Sequence, residues 1–231
     1  MLEQGGIGMM HLIDISSYQK AIDLPSVLPN VDGVICKATE GIGYVDAYCD
    51  RFVQVCRRAG KPWGFYHFAY TNGAIAEAEF FYANTKNYFG EGIPVLDWEG
   101  NQNVEWVNEF VRRLHELSGV WCWIYANPWR FNQGGVEPNC MRWVAQYPAV
   151  DHPTFATAEG WDAPGADGLV GAWQFCHDGR VAGYGHDLDC SLFYGDTAAW
   201  NMYAGLTEVP SGSEDTVLEN DSYKVTIEVK K

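Results

Sequence analysis

The 231-residue sequence predicts an α/β fold, an irregular (β/α) barrel of about eight strands with fewer than eight regular helices. Three observations predict it. Eight short apolar runs of strand length are spread along the chain. In the first half they alternate with amphipathic segments whose apolar residues recur at three- and four-residue intervals, and strands alternating with helices make a parallel sheet. The length is ordinary for one such barrel with a full core.

The runs, in order, cover residues 11–16, 33–39, 62–70, 93–99, 121–127, 142–147, 171–176 and 187–193. Helices are expected over 45–59, 74–89 and 104–117, each followed by a glycine (Gly60, Gly90, Gly119) able to end it in a left-handed turn. The segments 128–140 and 149–169 are rich in Gly, Pro, Asp and Asn, so the second half should be poor in helix. The domain of interest is taken as 11–204, after an extension over 1–10. Residues 205–215 read as a linker, and the tail 216–231 holds one alternating strand around 223–230, which reads as a terminal strand docking on the barrel or the start of an appended module.

Composition narrows the function. The net charge of −15, from 30 acids and 15 bases, argues against nucleic acid or an anionic membrane as a direct partner. No apolar stretch is long enough for membrane insertion, and residues 1–10 carry no signal-peptide pattern. The seven cysteines form no C-x-x-C pair and several sit inside apolar runs, which reads as buried free thiols made in a reducing compartment. His115, His152, His177 and His186 lack metal-ligand spacing, so neither a metal nor a cofactor is expected. The 10 Trp, 13 Tyr and 11 Phe exceed what a core alone needs, and a surplus at strand ends would suit stacking on sugar rings.

The acids carry the chemistry. Leu96-Asp97-Trp98-Glu99 ends the fourth run with two carboxylates two residues apart. In a strand these share a face, with Cα atoms about 6.6 Å apart at roughly 3.3 Å rise per residue. The first run ends at Asp14, and the last contains Asp187 and Asp189. A parallel barrel keeps its chemistry at the carboxyl ends of its strands, and closure brings the first and last strands together. Asp14 and Asp189 would then face Asp97 and Glu99 across one mouth. Four carboxyls so close repel one another, which raises at least one pKa and marks a site for acid and base chemistry.

Seven segments then occur in order: I-D-I-S-S-Y-Q (13–19), V-I-C-K-A-T-E-G (34–41), W-G-F-Y-H-F (63–68), P-V-L-D-W-E-G (94–100), W-V-A-Q-Y (143–147), W-Q-F (173–175) and L-D-C-S-L-F-Y-G (188–195). With them the chain resembles the glycoside hydrolase family 25 muramidases, the lysozymes of bacteria and their phages, from about residue 11 to 204. The resemblance implies cleavage of the β-1,4 bond between N-acetylmuramic acid and N-acetylglucosamine in the glycan strands of bacterial peptidoglycan. It places the catalytic glutamate on Glu99 and its companion aspartates on Asp97, Asp14 and Asp189. Spacing to Phe193 and Gly195 favours Asp189 over Asp187. Ser191 stands where the family usually has asparagine.

On this reading Glu99 is the general acid, its pKa raised by apolar neighbours such as Trp98. Asp97 stays ionised, stabilising developing charge or orienting the substrate's N-acetyl group. Tyr66, Tyr125 and Trp173 are the expected sugar contacts, with Gln174 beside them, and Lys37 and Glu40 pair at the mouth. His67 follows Tyr66, and alternation forbids both from facing the mouth. Two other readings remain: a chitinase-like hydrolase, and a wall-binding lectin on the same barrel. Free thiols and the missing signal peptide fit a phage endolysin, made in the cytoplasm and acting at the wall. Oligomeric state is not legible.

Overall fold

The computed structural model describes residues 8–206 and the backbone of two further strands, Thr216–Asn220 and Tyr223–Ile227. Eight strands close into a barrel: β1 (Met10–Ile15), β2 (Gly33–Glu40), β4 (Trp63–Phe68), β5 (Ile93–Asp97), β6 (Trp123–Ala126), β7 (Arg142–Ala145), β8 (Val170–Gly179) and β9 (Leu188–Phe193), with β3 (Tyr44–Val45) appended to β2. The order is β1-β9-β8-β7-β6-β5-β4-β2, and parallel pairing of β1 with β2 closes the ring.

The expected all-parallel sheet is corrected at one strand. β9 runs antiparallel to both β8 and β1. A parallel neighbour needs a crossover long enough to return the chain to the same end. Only residues 180–187 separate β8 from β9, and they hold no helix. The reversal has a functional consequence. Asp189, near the start of β9, reaches the end of the barrel where β1 and β5 finish, and it pairs in register with Asp14.

The helices follow their sequence signals with shifted edges. They are α1 (Leu24–Val27), α2 (Cys49–Ala59), α3 (Ala74–Thr85), α4 (Val104–Ser118), α5 (Pro128–Phe131), α6 (Phe155–Ala158) and α7 (Thr197–Ala204). Gly60 and Gly119 cap α2 and α4 at φ 63° and 75°, a region that costs residues with a Cβ. Gly90 lies in a turn beyond α3, whose C-cap is Lys86. The helix expected from residue 45 starts four residues later, because Tyr44 and Val45 pair with Glu40 and Thr39 across a hairpin. In the second half α5 and α6 are single turns, as the Gly/Pro-rich sequence implies.

Alternation along the strands sorts side chains into two apolar regions. Leu96, Ile124, Val144, Trp173 and Phe175 point outward to the helices. Met10, Leu12, Ile35, Val95, Trp123, Met141, Trp143 and Phe193 fill the barrel. Trp200 of α7, 1% exposed, plugs the end opposite the carboxyl ends of the parallel strands, packing edge-on against Trp123 and Phe193. The interior is thus closed from below, and its carboxyl groups lie at the top.

The irregular second half is tied down by Arg142, which is 2% exposed. Its guanidinium donates to the carbonyls of Val136 at 3.0 Å, Glu137 at 2.9 Å and Asp167 at 3.1 Å. Of these loop carbonyls, that of Glu137 also accepts from Cys140 N at 3.3 Å. Residues 1–7 and most of the expected linker lie outside the described residues. In the tail, Thr216–Asn220 and Tyr223–Ile227 pair antiparallel in a sheet of their own, two strands where one was expected.

Candidate active site

At the upper end of the barrel a cavity of about 370 Å³ is lined by Asp14, Asp97, Glu99 and Asp189, together with Lys37, Tyr66, Phe68, Tyr125, Trp143, Tyr147 and Gln174. Three strands deliver the acids. Asp14 is the last inward residue of β1 and pairs with Asp189 of β9. Asp97 ends β5 between Phe68 and Tyr125 in register. Glu99 follows two residues later on the same face, past the last strand hydrogen bond, from Trp98 N to the Tyr125 carbonyl at 2.8 Å.

Burial dominates the electrostatics. It holds the Asp97 carboxyl well above the usual carboxylate range, with the charge of Glu99 adding to it. Asp14 is raised likewise by burial and then by Asp189, while the hydrogen bond from Gln174 pulls it down. Burial lifts Asp189 to about 6 against the pull of His177. Glu99 is raised by burial, with Arg130 and Lys37 opposing. Each negative charge in this mouth disfavours the others. Asp97, expected to stay ionised, lies deeper than Glu99 at 8% exposed, and burial there works against its charged form. Its Oδ1 is buried without a hydrogen-bond partner among the described residues.

A polar network fixes Asp14. Gln174 Nε2 donates to Asp14 Oδ2 at 2.8 Å, and Gln174 Oε1 accepts from the Tyr125 hydroxyl at 2.7 Å and from that of Tyr147. Lys37 Nζ donates to Glu40 Oε2 at 2.6 Å and lies 4.8 Å from the Phe68 ring centroid, so the ammonium is held at the rim. Ser191 Oγ accepts from Trp143 Nε1 at 3.0 Å, which accounts for its hydroxyl inside the barrel.

Several expected contacts are relocated. Trp173 does not line the cavity. As the neighbour of Gln174 it faces outward by alternation, 2% exposed among the helices, with Nε1 donating to the Gln146 carbonyl at 2.7 Å. Trp98 also points outward, so it supports the acid's turn from behind rather than desolvating Glu99 from within the cavity. Tyr66 faces the cavity and His67 the outer core. Glu40 meets the site through Lys37 and is not part of its wall. Asp187 pairs with Arg180 at 2.8 Å, away from the cavity. Tyr147, Trp143 and Phe68 were not singled out, although each lies in a segment whose alternation faces it inward. Among the described residues, no group of three His, Cys, Asp or Glu side chains is arranged to hold a metal ion.

The model of the glycosyl hydrolases family 25 matches residues 13–184, from the second half of β1 through β8, with three of the four acids. The chain belongs to that family. Among relatives of family 25, the N,O-diacetylmuramidase of a Chalaropsis species is 30% identical over 184 residues, covering 70% of this chain and 85% of that protein. The autolytic lysozyme of Clostridium acetobutylicum is 26% identical over 189 residues, covering 78% of this chain. This chain spans only 55% of that lysozyme's length. Among solved structures, a bacterial lysozyme from Streptomyces coelicolor superposes with a TM-score of 0.71 at 25% identity, covering 88% of this chain and 99% of that one. Family 25 membership makes the chain a glycoside hydrolase with the irregular α/β barrel of that family.

Proposed function

We propose that this chain is an N-acetylmuramidase that cleaves the β-1,4 bond between N-acetylmuramic acid and N-acetylglucosamine in bacterial peptidoglycan. The observation that carries the reading is the set of four acids, all raised, in one aromatic-lined cavity. Muramidase relatives add to it.

Glu99 is the general acid. It lies just beyond β5, nearer solvent than Asp97, desolvation raises its pKa, and it would pass its proton to the leaving glycosidic oxygen. As the bond breaks, positive charge grows on the anomeric carbon, and a carboxylate of the set, such as Asp189 above its pKa of about 6, favours that charge. Asp97, which lines the cavity, orients the substrate's acetamido group by accepting its amide N–H, so that the acetyl oxygen reaches the anomeric carbon. Asp14 and Asp189 steer the water that completes hydrolysis. Tyr66 and Tyr125 supply the sugar with apolar faces and hydroxyls. The seven buried free thiols favour synthesis in a reducing cytoplasm, which suits an endolysin acting at the wall of its host.

Digestion of purified Gram-positive peptidoglycan, with borohydride reduction and mass spectrometry of the fragments, tests the assignment. New muramitol ends are expected. Glucosaminitol ends would make it a glucosaminidase, and intact walls with retained binding would make it a lectin.

A further inference from the structure

Arg130 is absent from the cavity wall, yet it grips the turn that carries the acid. Its Nη2 donates to the carbonyl of Glu99 at 2.7 Å and to the carbonyl of Gly100. Its guanidinium carbon lies 5.1 Å from the centroid of the Trp98 ring. Three consecutive residues of one turn are thereby held by one side chain. The grip matters because β5 ends at Asp97, and sheet hydrogen bonding no longer fixes the backbone at Glu99. Arg130 is itself anchored. It sits on α5, directly after β6, and its backbone N–H donates to Asn127 Oδ1 at 3.1 Å. The exit turn of β6 thus clamps the exit turn of β5.

We propose that Arg130 is a positioning residue for Glu99, fixing the turn so that the acid's carboxyl faces the scissile oxygen. The inference rests on the muramidase reading. A guanidinium suits the task, because its Nη2 serves both carbonyls while its carbon lies over the indole, and a lysine offers that ring no planar, delocalised face.

A second consequence follows from charge. The groups facing Glu99 are Asp97 on β5, Asp14 on β1, Asp189 on β9, Lys37 on β2 and Tyr147 beyond β7, besides Arg130 on α5. Arg130 and Lys37 are the cations that oppose the upward pull of burial on Glu99. Removing the guanidinium charge lets Glu99 keep its proton to higher pH.

The test compares wild type, R130K and R130M on a soluble tetrasaccharide of alternating N-acetylglucosamine and N-acetylmuramic acid, with kcat and KM measured across pH. Both variants are expected to lose kcat on the order of 10- to 100-fold, the scale of a slightly misplaced reacting group, with KM little changed. The alkaline limb of kcat/KM should move to higher pH in R130M and stay in place in R130K, which keeps the charge. A loss of packing alone would not separate the two variants in this way, and R130K carries the kcat test if R130M proves unfolded by circular dichroism. Wild-type kcat in either folded variant, a loss confined to KM, or an unmoved limb in folded R130M overturns the inference while the function stands. A wild type that cleaves nothing overturns the reading of function, and this inference with it.

Discussion

Asp14 and Asp189 are directly opposed partners across the antiparallel seam between β1 and β9. Like charges so placed destabilise a sheet, and here both are also withdrawn from water. The pair belongs to the site and works against the fold.

Replacing Asp189 by asparagine should therefore stabilise the protein at neutral pH. The folded-state pKa of Asp189 is about 6 against an ordinary 3.8, so the folded state binds more protons between those values. Its favourable contribution is complete below the ordinary value and is lost as pH rises through about 6. Asp189→Asn should gain about 1–3 kcal/mol over wild type at pH 7, with the difference vanishing near pH 4. Denaturant titration at both pH values checks it, and an equal difference at the two would contradict the assignment.

Trp173 and Gln174, adjacent in sequence, should respond in opposite ways. Trp173→Phe removes a buried hydrogen bond to the Gln146 carbonyl, costing about 1 kcal/mol of stability, and should leave kcat unchanged. Gln174→Ala strips Asp14 of its donor and two tyrosine hydroxyls of their acceptor, so it should cost about 1–3 kcal/mol and lower kcat as well. Melting curves and turnover on the same substrate separate the two.

Glu77 supports the site from outside the barrel. It is fully buried and accepts from His67 Nε2, Tyr70 N and Asn72 N, each at 2.9 Å, while Thr39 Oγ1 lies 2.8 Å from His67 Nδ1. With Nε2–H donating to the carboxylate, Nδ1 is left to accept the threonine hydroxyl proton. Glu77→Ala strands these donors and should cost about 3–5 kcal/mol, read as a fall in melting temperature.

Local signals in the sequence carried much of this architecture. Alternation and terminal carboxylates placed Asp97 and Glu99 on one face, and the glycines after α2 and α4 marked both helix ends. What escaped was non-local. The direction of β9 depends on the short helix-free return from β8, which a strand pattern does not encode. The inward or outward sense of Trp173 depends on register, where one residue decides between cavity and core. The raised pKa of Asp97 depends on depth below the mouth, and Arg130 reaches its partners across 30 residues of chain with no local pattern to announce it.

Glu99 is proposed to deliver the proton, and Glu99→Gln isolates that role. The amide keeps the shape and cannot donate as an acid. On the soluble tetrasaccharide, kcat should fall roughly 10²- to 10⁴-fold, with KM little changed and melting temperature no lower than wild type. A Glu99→Gln protein that turns over at the wild-type rate would contradict it.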